Sequence, residues 1–188
     1  MLSNPDDATL ARLPALWEAV ATLPPRLADP LRRVLRHLGG RSPADAAAHY
    51  VDTFDLRRRC CLYLSYYTHG DTRRRGLALL RFRAAYRAAG LTAADDELPD
   101  HLAIVLEFSA LGHSEEAVDL LVAHRPGLDL LWRALDALGT SYADALLAVR
   151  ATLPPPGPAD DAAARRLAAD GPPTELVGLA PTPVEVAR

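Results

Sequence analysis

The chain has 188 residues, hydrophobic side chains at 49%, charged ones at 24%, and a formal net charge of -3. That length supports one domain with a sizeable core and no need of a metal or disulfide for stability. The acidic balance argues against a general nucleic-acid binder. No apolar run approaches the roughly 20 residues of a membrane span, and the N-terminus lacks the basic start and apolar stretch of a signal peptide, so a cytoplasmic location is expected.

In chain order the sequence reads as short helices divided by Pro and Gly, with no alternating strand pattern. The first helix is expected over Ala8–Leu23, with Pro14 near its start or at a kink. Asp29-Pro30 offers an N-cap and a first-turn proline for a second helix stopping at Gly39-Gly40. Ser42-Pro43-Ala44-Asp45 repeats that logic with an acid in the capping-box place. Ala47, Tyr50, Val51 and Phe54 then fall on one helical face.

Leu56, Cys60, Leu64 and Tyr67 continue as a second helical stripe to a break at His69-Gly70. Asp71 or Thr72 can cap the next helix, whose apolar positions include Ala78, Leu79, Phe82, Ala85, Tyr86 and Ala89, with Gly90 ending it. Leu91–Leu98 is an acidic loop holding Asp95, Asp96 and Glu97. Pro99 is expected to start a helix through Leu111 that is apolar almost all round, as in the middle of a bundle. Further helices are expected at Ser114–Ala123, Leu128–Leu138 and Tyr142–Leu153.

Eight of the 16 prolines lie in residues 153–188 and aromatic residues vanish there. The helical domain is therefore expected over residues 1–153. Residues 154–188 read as a mostly disordered tail, with at most a transient turn near Ala162–Ala168. The fold class is all-α, a single-domain bundle of about eight to nine helices.

Three constellations could carry chemistry. Cys60-Cys61 forms no metal-ligand spacing with any of the six histidines, and a buried small hydrophobe is the usual fate of free Cys. No disulfide framework and no metal site follow from it. The Arg runs 57–59 and 73–75 could hold a phosphate, but no glycine-rich phosphate loop precedes them, and charge runs are more often solvated faces. In Glu97-Leu98-Pro99-Asp100-His101, the proline fits a first turn and Asp100 can cap. The alternative places Asp100 and His101 at the polar rim of an apolar groove. No activated nucleophile accompanies them, so no catalytic residue is assigned.

The run Tyr50-Val51-Asp52-Thr53-Phe54-Asp55-Leu56-Arg57-Arg58-Arg59-Cys60-Cys61-Leu62-Tyr63-Leu64 closely resembles the NarJ family, the assembly chaperones of respiratory nitrate reductase. So do Tyr66-Tyr67-Thr68-His69-Gly70-Asp71-Thr72-Arg73-Arg74-Arg75-Gly76 and Glu97-Leu98-Pro99-Asp100-His101-Leu102. The last run is similar to the Glu-x-Pro-Asp-His signature of the wider TorD-like redox-enzyme maturation proteins. The likeness covers about residues 5–153.

The resemblance implies an all-α bundle without enzymatic activity or a cofactor of its own. It implies binding of the N-terminal segment of the nitrate reductase catalytic (alpha) subunit. That subunit would be kept competent for molybdenum cofactor and iron–sulfur insertion before membrane docking. An apolar groove with an acidic rim would suit such a peptide. Asp95, Asp96, Glu97, Asp100 and Glu107 could supply the rim, and Tyr50, Phe54, Tyr63, Tyr67, Leu102 and Leu106 groove or core surface, with His101 beside them.

Asp55, Asp71, Arg73, Arg74 and Pro99 carry over from the shared runs as polar or structural motif positions, Asp55 as a cap for the helix of Arg57–Arg59. Family members usually begin with a helix before Asn4-Pro5-Asp6. Its loss would expose apolar surface and favour self-association. Alternatives are the same role for a different molybdenum oxidoreductase, a nucleotide- or cofactor-binding enzyme using Arg73–Arg75 with Asp100 and His101, and a purely structural helical adaptor.

Overall fold

The computed structural model describes residues 1–92 and 97–173, and among these it holds eleven α-helices and no strand longer than an isolated bridge. Proline sets the first boundaries. Helices α1 (Asp7–Ala11) and α2 (Leu13–Ala21) divide at Arg12, where a single helix was expected, because Pro14 in the first turn of α2 has no N–H to bond backwards. Asp6 caps α1, accepting from the Thr9 N–H at 2.7 Å.

The next helix, α3 (Pro25–Gly39), starts at Pro25 and not at Asp29-Pro30. Asp29 pairs with Arg32 at 2.9 Å, and Pro30 lies buried inside the helix. Helix α4 (Pro43–Tyr50) is capped by Ser42 as its sequence indicates, the hydroxyl accepting from the Asp45 N–H at 3.2 Å. A π-helical turn, Val51–Asp55, continues α4 and is closed by the Leu56 N–H on the Val51 carbonyl at 3.1 Å.

Beyond that turn the expected second stripe does not form one helix. Arg58–Cys60 is a single 3₁₀ turn, residues 61–63 run extended, and α5 is short (Leu64–His69). Leu56, expected on the stripe, is 72% exposed. The extended piece pairs with the segment before α7: the Leu64 N–H donates to the Asp100 carbonyl at 3.0 Å and the Leu102 N–H to the Leu62 carbonyl at 2.9 Å. This pairing holds Pro99 and Asp100 outside the helix they were expected to start.

Helix α6 spans Arg73–Ala88 and α7 spans Leu102–Ala110. Then follow α8 (Ser114–Ala123), α9 (Arg125–Ala137) and α10 (Tyr142–Thr152). Helix α10 lies along α3 and α9, α7 packs on α8, and α2 on α3. Their shared core includes fully buried Leu38, Phe82, Leu102, Leu128, Leu131, Leu135, Tyr142 and Leu146. Helix α9 approaches α5 closely at Gly127, where an added methyl would sit 2.9 Å from the Tyr67 side chain.

Helical packing continues past residue 153, which corrects the early start of the structureless tail. Pro158–Asp170 forms α11, with an Asp160 side chain accepting from the Gly157 N–H at 2.8 Å. It packs on α9, burying Ala164 and bringing Leu167 against the core. The Arg125 guanidinium anchors this return by donating to the Pro154 carbonyl and lying 4.0 Å from Asp160. Its short Ala-rich face carries a weak apolar signal, so the surrounding prolines dominate the sequence pattern. The remainder of the expected tail, 174–188, lies outside the described residues.

Candidate functional site

The π turn, the extended piece and α7, α8 and α10 enclose a groove of about 1420 Å³. Tyr50 and Phe54, with ring centroids 4.9 Å apart, form one wall. Leu62 and Tyr63 from the extended piece, Ile104 and Leu106 from α7, and Val118 and Leu121 from α8 supply the opposite side. Ala145, Ala148 and Val149 of α10 line the floor, and Leu23, Leu27 and Leu31 extend it past residues 1–4. Among the described lining residues three carboxylates, Asp55, Glu97 and Glu107, stand against a single guanidinium, Arg12.

Each polar group is placed by a local device. Tyr63 donates its hydroxyl to Glu97 at 2.8 Å, and the same carboxylate oxygen accepts from the Leu98 N–H at 2.9 Å, fixing Glu97 at the groove edge. Burial and that carboxylate both hold the Tyr63 phenol protonated, raising its pKa. His101 caps α7, its Nδ1 accepting from the Ala103 N–H at 3.3 Å, and its ring stands edge-on to Tyr63. Burial lowers the His101 pKa against the pull of Glu97, Asp100 and Asp55, so the neutral ring carries its proton on Nε2.

Asp100 is not on the rim. It is fully buried, and one carboxylate oxygen accepts from the Ser65 N–H at 3.0 Å and the Ser65 hydroxyl at 2.6 Å. Tyr63, the N-cap of α5, gives that helix no side-chain cap. Asp100 therefore caps α5 from 35 residues away, its carbonyl taking the Leu64 N–H and its side chain the Ser65 N–H. The capping role read for Asp100 is correct in kind but belongs to another helix.

Arg75, named from the sequence only within the Arg73–Arg75 run of the nucleotide-binding alternative, joins the same assembly. Its guanidinium reaches Asp71 at 3.1 Å, Ser65 at 3.4 Å and Asp100 at 3.9 Å, and lies over the Tyr63 and Tyr66 rings at 5.4 and 5.9 Å. The three quoted runs thus meet at one point. Arg75 and Asp100 face each other there, while Arg73 and Arg74 are exposed on α6. The postulated nucleotide site of Arg73–Arg75 with Asp100 and His101 is therefore not assembled.

Of the remaining candidates, Tyr67 is core, its hydroxyl donating to the Arg59 and Cys61 carbonyls at 3.1 and 2.9 Å. Leu102 is fully buried, and Pro99 is buried with its carbonyl accepting from the Tyr86 hydroxyl at 2.6 Å. Asp71 is exposed. Asp55 ends the π turn on the groove rim and caps no helix, since the 3₁₀ turn of Arg58–Cys60 has no side-chain cap. Asp95 and Asp96 lie outside the described residues.

Sequence reasoning missed the α8 and α10 lining, because Ala145, Ala148, Val118 and Leu121 read as ordinary core positions. Among the described residues no group of three or more His, Cys, Asp or Glu could hold a metal, and no helix is long and apolar enough to cross a membrane. Cys60 and Cys61 are free, and burial pushes the Cys61 thiol up to about 11, an inert range.

Residues 18–148 match the family described as nitrate reductase delta subunit. The nitrate reductase-like protein NarX of Mycobacterium tuberculosis is 41% identical over 132 residues, covering 70% of this chain and 20% of that protein. The nitrate reductase molybdenum cofactor assembly chaperone NarJ of Escherichia coli is 37% identical over 146 residues, covering 76% of this chain and 62% of its own length. A probable chaperone of the same name from Bacillus subtilis is 29% identical over 154 residues, with 81% and 84% covered. The chain thus spans a fifth of the mycobacterial relative and under two thirds of the enterobacterial one. Because the family match covers more than half of its residues, the chain belongs to the nitrate reductase delta subunit family.

Proposed function

We propose that this chain is an assembly chaperone, not an enzyme, that holds the N-terminal segment of a respiratory nitrate reductase catalytic subunit in its groove. Bound there, the client stays competent for molybdenum cofactor and iron–sulfur insertion before membrane docking, and the chaperone works in the cytoplasm without a cofactor of its own. The observation that carries the reading is the apolar trough edged by Asp55, Glu97 and Glu107. Such a trough accepts the apolar face of an amphipathic helix and attracts its basic residues. Family membership and the names of the Escherichia coli and Bacillus subtilis relatives support the same role.

Calorimetric titration of the chain with a peptide from the start of the catalytic subunit tests the proposal. Saturable binding is expected, weakened about tenfold by Asp55→Arg with Glu107→Arg, and more so at low salt where the rim is least screened. A folded chain that shows no saturable heat, or whose affinity ignores the charge reversal, rules the groove out as the client site.

A further inference from the structure

Helix α6 has a second, outward face that the groove does not use. Its inner face, Ala78, Phe82 and Tyr86, is buried in the core and fixes the rotation of the helix. At about 100° per residue the opposite ridge starts at Arg73 and then carries Leu77, Leu80, Ala84 and Ala88. Leu77 is 68% exposed and Leu80 57%. Arg74 and Arg81 flank this ridge on one side, and Arg83 and Arg87 on the other, all exposed. None of these four arginines has an ion-pair partner among the described residues. From Thr72 to Thr92 the sequence holds no acidic residue, although the whole chain is net negative. Positive charge is therefore concentrated on one apolar-crested helix about 24 Å long.

From this pattern we infer that the outward face of α6 is a docking surface for an anionic phospholipid bilayer, on which the helix lies parallel to the membrane plane. The ridge is convex, so it meets a plane without needing a complementary groove. Guanidinium groups on both flanks can fork to headgroup phosphates at one level while their aliphatic stems and the two leucines rest at the acyl boundary. Clusters of four or more Arg on an amphipathic helix are attracted to anionic leaflets at close range. An acidic protein partner would satisfy the charge but would leave the exposed Leu77 and Leu80 crest dependent on a matching pocket. The attachment is peripheral, inserts no span, and leaves the groove on another part of the fold.

The test uses the full chain and flotation with vesicles of phosphatidylcholine, with or without phosphatidylglycerol. Flotation with the phosphatidylglycerol vesicles alone is expected, falling as salt rises. Arg74→Gln with Arg81→Gln, and separately Arg83→Gln with Arg87→Gln, should each lower the partition coefficient about tenfold or more. Leu77→Ser with Leu80→Ser should lower it about tenfold with the melting temperature unchanged, since both side chains already face solvent. A folded wild-type chain that fails to float with phosphatidylglycerol vesicles at low salt overturns the inference and leaves the ridge to an acidic protein. Flotation that survives both arginine pairs overturns it equally.

Discussion

Replacing Asp100 by Ala removes an acceptor from a site with no water access. Two hydrogen bonds to Ser65 disappear, and the start of α5 loses the cap that its own N-cap residue does not provide. Hydrogen bonds to a charged group contribute about 1.5–3 kcal/mol each. The Arg75 guanidinium, 16% exposed, also loses its inner carboxylate, although Asp71 continues to hold it from outside. Together the loss comes to about 3–5 kcal/mol. For a chain of this size each kcal/mol lowers the melting temperature by about 2–4 °C, giving a fall of roughly 6–20 °C. Asp100→Asn, which keeps one acceptor oxygen, should lose about half as much. Thermal and urea unfolding measure both variants. Because Asp100 does not line the groove, client-peptide affinity of the folded Ala variant should stay within about twofold of wild type at low temperature. A melting temperature shifted by less than about 2 °C, or a tenfold loss of affinity without destabilisation, would refute the capping account and return Asp100 to the binding surface.

Two further outcomes follow from the same packing. Deleting residues 154–188 removes α11 and uncovers the Arg125 guanidinium and the α9 surface. It should lower the melting temperature by several degrees, whereas deletion of 174–188 alone should leave it unchanged within error; equal behaviour of the two truncations would show that α11 adds nothing to the fold. Burial lowers the His124 pKa to about 4, its ring stacked 5.2 Å from Phe82, while the unfolded chain titrates near 6.5. The unfolded state therefore takes up the proton first, so this contribution is intact above pH 6.5 and is lost progressively as pH falls toward 4, by about 3 kcal/mol in all. His124→Gln should flatten the stability profile across that window in denaturant titrations, and an unchanged slope would contradict the assignment.

The helical class and most of the helix punctuation were legible in the residues themselves. Ser42-Pro43-Ala44-Asp45 starts α4 through local capping, and Ser114–Ala123 stands as read with Glu115 and Glu116 in its first turn. The quoted runs were equally informative about kinship, since three ordered segments of 50–64, 66–76 and 97–102 fall within or overlap the matched range 18–148. Local signals failed where a partner distant in sequence took over a role. Leu56–Tyr67 carries helical periodicity, yet its middle runs extended because Leu62 and Leu64 pair with the Asp100–Leu102 segment. The Ala-rich α11 becomes a helix worth forming only when α9 covers its Ala164 face.

Composition, periodicity and capping residues alone determined that this chain folds as a helical bundle, and the motif runs determined its family. Tertiary structure alone decided what the motif residues do. Glu97 and His101 reach the groove, Asp100 turns inward to cap α5, and Arg75, not Arg73 or Arg74, ties the runs together. The physical reason is that burial is a property of packed helices. Adjacent residues such as Asp100 and His101 carry the same sequence signal, and only their register against the extended 61–63 piece sends one carboxylate into the core and leaves the neighbouring imidazole at the groove.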